Sequence, residues 1–212
     1  MKRILMSVAL AIVVPVGASH AGSSNNVYLL QDSSTELGNS IFIDQSTANA
    51  SSVAGSANGL LPASQTGSGN VANLRLSGQG GTAILNQNNL ILAGATGNEA
   101  VAVLSDYAKG TINQFGDGNT ANLRVTGTLD GTGGTAGTVN QLGNRNDATL
   151  TVEGRGASGK INQLGSGNTN ALEVTGTGTS ATYTQIGNNA ANPQGVTVVS
   201  NGGSVQITQF SF

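Results

Sequence analysis

The sequence predicts an all-β solenoid, a coil of short parallel strands stacked rung upon rung. Three observations carry this. One phrase opens at Gly110, Gly137 and Gly159, reading GTINQFGDGNTANLRVTG, GTVNQLGNRNDATLTVEG and GKINQLGSGNTNALEVTG, and fixed-period self-similarity marks a repeat architecture. Within each phrase apolar residues recur at every second position, the period of a strand and not of a helix. Of 212 residues only 8% are charged and 3% aromatic, while 32 are Gly, too little large apolar volume for an ordinary three-dimensional core. Low net charge and periodic β-branched residues fit disorder poorly.

The phrases parse alike. Ile112 and Gln114 share one strand face, and after a corner Asn119, Ala121, Leu123 and Val125 share one. Thr111, Asn113, Thr120, Asn122 and Arg124 take the opposite face, which suits water. The second phrase repeats the inward set with Val139, Gln141, Asn146, Ala148, Leu150 and Val152. Between the strands, Gly116 with Gly118, or Gly143 with Asn144, supply residues that tolerate positive φ in a tight corner.

Taken from its start, the chain has a basic Met1-Lys2-Arg3, an apolar stretch over residues 4–16 and a small-residue cleavage site at Ser19-His20-Ala21. This is the pattern of a secretory signal peptide over residues 1–21, too short for a membrane span; an uncleaved anchor is the alternative. Removal after Ala21 takes away Lys2, Arg3 and His20, leaving 6 basic and 10 acidic residues, net −4, with no His and no Cys. An exported chain without disulfides needs another stabilising device.

Residues 22–62 read as an N-terminal segment. Val27, Leu29 and Gln31, then Ile41, Ile43 and Gln45 after Gly38-Asn39, form a degenerate first rung. Residues 46–62, rich in Ala, Ser, Gly and Asn, fit either a loop or a poorly formed rung. Residues 63–212 are the repeat array. Gln65, Gly67 and Asn70 lead into Ala72, Leu74 and Leu76. Gln87 is followed by a corner stretched over residues 88–97, then Asn98, Ala100, Ala102 and Leu104. The three phrases come next. Tyr183 and Gln185 start a copy interrupted over residues 188–195, Pro193 among them, before Val196 and Val198. Val205, Ile207 and Gln209 make a half copy. From Gln65 to Gln209 the glutamines are spaced 22, 27, 27, 22, 22 and 24 residues apart. The insertions fall in Gly/Thr-rich joints such as residues 128–134, where a loop absorbs them. That gives about six to eight rungs, the first ones degenerate.

Rungs about 4.8 Å apart lay like residues over like. The expected inward amide ladder is Gln65, Asn70, Gln87, Asn98, Gln114, Asn119, Gln141, Asn146, Gln163, Asn168, Gln185 and Gln209. The expected inward apolar columns are Leu74, Leu76, Ile112, Leu123, Val125, Val139, Leu150, Val152, Ile161, Leu172, Val174, Tyr183, Val205 and Ile207. Gly67, Gly116, Gly143, Gly165 and Gly187 turn the corners. An unpaired buried amide costs roughly 1–3 kcal/mol. Amides stacked in register donate and accept along their column, as in a steric zipper. These residues therefore set register.

The order Gln-x-Gly-x-x-Asn followed by small and aliphatic alternation resembles the curlin repeat of curli amyloid subunits. Gln65-Thr66-Gly67-Ser68-Gly69-Asn70, Gln114-Phe115-Gly116-Asp117-Gly118-Asn119, Gln141-Leu142-Gly143-Asn144-Arg145-Asn146 and Gln163-Leu164-Gly165-Ser166-Gly167-Asn168 match it without gaps. Gln185-Ile186-Gly187-Asn188-Asn189-Ala190 keeps Gln and Gly and loses the Asn. Curlin repeats close the second strand with a further Gln, where this chain has Thr or Gly after Val125, Val152 and Val174, which fits either a main or a divergent, minor subunit. The resemblance implies amyloid-like cross-β stacking and a secreted subunit of an extracellular curli-like fibre, a fimbrium, serving biofilm matrix and adhesion. It implies self-polymerisation head to tail, a nucleator or sister fibre subunit as partner, and export through the periplasm with chaperones and an outer-membrane secretion pore.

Physical reasoning points the same way. The last strand, residues 204–212, is uncharged, β-prone and free of Pro, so it reads as an open template for a further subunit; folding back under a loop is the alternative. A minor nucleating or anchoring subunit is a second reading. A monomeric solenoid binding ice or glycan through outward Thr rows, such as Thr175 to Thr179 and Thr182 with Thr184, is a third. An enzyme is not expected: after processing there is no His or Cys, and no Ser has a base partner. Asp117, Asp130, Asp147 and Glu153 share no column. Absence of a basic patch, of GGxGxD and of GK[ST] argues against nucleic acid, calcium and a phosphate loop. No cofactor or metal is expected.

Overall fold

The computed structural model describes residues 24–33, 38–89, 96–127 and 134–212. The expected signal peptide, Asp130, and parts of the stretched corner and of the joint at 128–134 lie outside the described residues. The described residues form strands and turns without helix, and the chain is a β-solenoid.

The first turn is β1 (Asn26–Val27) with β2 (Leu29–Asp32), then β3 (Ser40–Asn49). The second is β4 (Ser52–Ala54) with β5 (Ala63–Thr66), then β6 (Val71–Gln79). Five further turns are β7 (Thr82–Asn88) and β8 (Glu99–Val103), β9 (Lys109–Phe115) and β10 (Thr120–Leu123), β11 (Ala136–Leu142) and β12 (Asp147–Glu153), β13 (Ser158–Leu164) and β14 (Thr169–Thr175), and β15 (Ser180–Gly187) and β16 (Ala191–Val199). β17 (Ser204–Ser211) opens an eighth. The first strands of the turns make a ten-stranded sheet and the second strands a seven-stranded one. The described pairings are parallel. Repeated residues meet in register: Gln114 lies beside Gln141, and Gln141 beside Gln163.

The core lies between the two walls. Leu85, Ile112, Val139, Ile161 and Tyr183 stack on one side. Leu74, Ala102, Leu123, Leu150 and Leu172 stack on the other, and all are buried. The glycine that opens each phrase has a packing reason that the pattern alone leaves unexplained. A Cβ on Gly110 would press within 2.9 Å of a Leu123 methyl, and one on Gly137 within 2.6 Å of another. The facing aliphatic side chains already fill that space.

The corners show why one Gly recurs where its neighbour varies. Gly116, Gly143, Gly165 and Gly187 hold φ of 114°, 122°, 113° and 115°. A Cβ on Gly116 would strike the Gly143 carbonyl of the next turn, and one on Gly143 that of Gly165. Two residues on, Gly118, Arg145, Gly167 and Asn189 are also left-handed, at 66°, 55°, 72° and 56°. There a Cβ on Gly118 meets nothing nearer than Thr96 Cβ at 3.5 Å, so larger residues fit. Asn144 was expected to carry the positive φ of its corner; Arg145 carries it, because the tight bend falls one residue later.

Residues 46–62 supply strand on both flanks. β3 reaches Asn49 through an irregular pairing between Asp44 and Thr47, and β4 joins the ten-stranded sheet. Ala48, Ser51, Val53 and Ala54 are buried. The excursion is limited to residues 55–62, closed by Gly55 N donating to Leu61 O at 2.8 Å. Strands β1 to β4 thus place the N-terminal segment in the same two sheets as the array.

Replacing Gly143 with Ala should cost about 2 kcal/mol or more, since strain in φ adds to a backbone collision. Gly118→Asn should cost less than about 1 kcal/mol, because Asn tolerates that conformation. Urea-unfolding midpoints of the two variants compare them directly.

Candidate functional site

The chemistry of this molecule is concentrated in its stacked amides. Gln31, Gln65, Gln87, Gln114, Gln141, Gln163, Gln185 and Gln209 form one column, fixed by strand register. Each Nε2 donates to the Oε1 of the next glutamine toward the C-terminus, at distances from 2.6 Å for Gln31 to 3.1 Å for Gln185. The amides cannot turn round freely. Gln141 Nε2 also donates to the Thr120 and Asn146 carbonyls, at 2.8 and 3.0 Å, and an oxygen in that position would face two acceptors. Gln65 through Gln185 are buried, yet each side-chain nitrogen is satisfied, so the desolvation penalty is met by backbone carbonyls and the ladder.

A second column clamps the corners. Asn39, Asn70, Asn98, Asn119, Asn146 and Asn168 each accept through Oδ1 from the backbone N–H of the residue above, at 2.9–3.0 Å. Asn119, Asn146 and Asn168 donate Nδ2 to the carbonyls of Gly143, Gly165 and Gly187, at 2.8, 2.8 and 3.0 Å. Ala190 donates its N–H to Asn168 Oδ1 but carries no amide, so this column ends there. Asn98 Nδ2, beside the stretched corner, has no partner among the described residues.

Sequence parity places the inward amides and misses two other arrays. On the outer face Asn86, Asn113, Asn140 and Asn162 donate in series to the next oxygen, at 2.9, 2.8, 2.9 and 3.2 Å, ending on Thr184 Oγ1. Asn113 was expected simply to face water. At the corners, Asn144 and Asn188 accept from the backbone N–H groups of Asp117 and Ser166, both at 2.9 Å. The Asn that recurs before Gln87, Gln114, Gln141 and Gln163 was the available signal for the outer array.

The apolar columns hold with one correction. Val205, expected inward, shares the register of buried Ala181 but is 37% exposed. Ile207 and Gln209 are half-buried for the same reason: among the described residues no strand of the second sheet faces β17.

Asn170 is a local misfit. It is buried in a column whose four preceding members are Ala72, Ala100, Ala121 and Ala148. Neither its Nδ2 nor its Oδ1 has a partner among the described residues. Above it, Asn192 Nδ2 donates to the Tyr183 hydroxyl at 3.3 Å, which donates to Gln209 Oε1 at 2.7 Å.

The other candidate chemistries find little geometry. Thr179 is buried, with its hydroxyl donating to the Ser200 carbonyl. The column of Thr182 reads Thr111, Thr138, Lys160, Thr182, so no continuous Thr row forms. Hydrogen bonds from the Ser46 hydroxyl and N–H hold the Asp44 carboxyl below its usual range, with Arg75 adding to the effect; this is a local turn. Glu153 pairs with Arg124 at 3.1 Å. Among the described residues no three acidic or imidazole side chains lie close enough to hold a metal ion.

Gln141→Ala should destabilise by about 2–4 kcal/mol, from a cavity plus the loss of the donor to buried Gln163 Oε1. Asn170→Ala should be neutral or stabilise by about 1–2 kcal/mol, since it deletes an unsatisfied buried amide. Outward Thr149→Ala should stay within about 0.5 kcal/mol. Denaturant midpoints rank the three.

Comparison with protein-family models, with curated proteins and with solved structures finds no match for this chain. Its role therefore has to be argued from the stacked amides and the surfaces they leave open.

Proposed function

We propose that this chain is a secreted structural subunit that polymerises end to end into extracellular, curli-like amyloid fibres of a biofilm matrix, and that its role is structural rather than catalytic. The observation that carries the reading is an in-register amide ladder that reaches β17, a strand with one edge unpaired among the described residues. Ser180 N donates to Gly203 O at 2.8 Å. In a parallel ladder alternate residues face alternate neighbours. Gly203, Val205, Ile207 and Gln209 therefore bond back to β15, while Ser204, Gln206, Thr208 and Phe210 turn their N–H and C=O groups to the far side. That edge is regular and uncharged, a template for a further strand. Export through the periplasm, chaperones and a secretion pore follow from the curlin resemblance.

One feature favours the second reading, a minor nucleating or anchoring subunit. The neighbouring edge strand β16 carries Pro193 and a shift in register between Asn170 and Leu172, devices that blunt an edge. The end is then open in one sheet only.

Seeded thioflavin kinetics on the chain lacking residues 1–21 test the proposal, with fibre diffraction expected near about 4.8 and 10 Å. Thr208→Pro removes an N–H that only an added strand would use, so elongation should fall at least about tenfold while the β-spectrum persists. Wild-type protein that stays monomeric at high concentration rejects polymerisation. A Pro variant elongating at the wild-type rate rejects the β17 edge as the growth site.

A further inference from the structure

The outer face of the ten-stranded sheet carries an apolar row that neither amide column uses. Phe115, Leu142, Leu164, Ile186 and Phe210 each follow a ladder glutamine by one residue, so strand alternation turns them outward. Strand register sets each above the last. All are exposed, Leu142 by 57% and Phe210 by 58%. Toward the N-terminus the column continues as Asn88, Thr66 and Asp32, where the row stops.

We propose that this row is a lateral docking surface for a second copy of this chain, the two ten-stranded sheets packing face to face. Three properties select that occupant. The row is one side chain wide and repeats every strand, about 4.8 Å, so the surface that matches it along its whole length is another row of the same pitch. A lipid surface calls for a broad apolar face, whereas this row is flanked by the outer Asn ladder. Charge favours the same pairing. Asp44, Glu99, Asp147, Glu153 and Glu173, with Arg75, lie on strands of the seven-stranded sheet, while over β9 to β17 the charged residues described on the row's own face are Lys109 and Lys160. Area suffices as well. Face to face, five strands of seven or eight residues, the flanking Asn ladder included, cover about 550 Å² per copy, or roughly 1,100 Å² in total, the scale of a specific interface.

The pairing requires the stacked sheet and does not require the fibre. Lone solenoids would dimerise through it, and fibres would run side by side. The two ideas therefore fail separately.

The test compares wild type with a Leu142→Lys, Ile186→Lys double variant. These positions are two strands apart, about 10 Å, so their mutual repulsion is largely screened at physiological salt. Electron microscopy should show paired wild-type filaments and single variant filaments, with seeded elongation rates within about twofold of each other. If the chain does not polymerise, sedimentation should give wild-type dimers and variant monomers. A Thr120→Lys, Thr169→Lys control adds the same charge to the opposite face and should leave pairing intact. Pairing that survives in the Leu142/Ile186 variant overturns the proposal. So does wild-type protein that never pairs, including protein that binds phosphatidylcholine vesicles instead. Loss of elongation together with pairing also overturns it, by placing the row in the growth path.

Discussion

Register is the constraint on which everything else in this molecule rests. A buried glutamine is a liability unless its amide meets partners on both sides, and here each partner is the same residue one turn away. Sliding one strand by a single residue would turn its glutamine outward and leave its neighbours' amides unpaired. The apolar columns gain from burial in proportion to area and tolerate small displacements. The amides do not, because hydrogen bonds weaken steeply with misalignment. The aliphatic residues thus hold the walls together, and the amides decide which turn sits over which.

Corner geometry serves the same end. The left-handed glycine that follows Gln65, Gln114, Gln141, Gln163 and Gln185 lies so close to the carbonyl of the next corner that no side chain fits, whereas two residues later Arg145 and Asn189 are accommodated. The spacing between turns is therefore set at the corners by backbone contact and in the walls by hydrogen bonding. The excursion over residues 55–62 lies outside both devices, closed by Gly55 and Leu61 before the strand resumes, whereas the extra residues in β3 and β16 shift the register of the wall itself.

The inner architecture was legible in the sequence because a strand's period of two assigns faces without knowledge of contacts. Gln114, Asn119, Leu123 and their counterparts follow from parity alone. The outer Asn ladder was not, since parity says that Asn113 points outward but not that an identical Asn lies one strand away. Val205 shows a related gap: column membership gives direction, while burial depends on a covering strand. Asn170 obeys the inward pattern yet sits where its predecessors are Ala, a substitution that alternation accepts and packing does not. Arg145 in the left-handed position illustrates the limit of propensity, since the fold places that conformation and the residue conforms.

Because every amide in the glutamine column is turned the same way, the stack has a sense as well as a length. One tip offers the oxygen of Gln31 and the other the nitrogen of Gln209, and the small dipoles between them add rather than cancel. Two such bodies joined along their axes match only when unlike tips meet; like tips would set oxygen against oxygen or nitrogen against nitrogen.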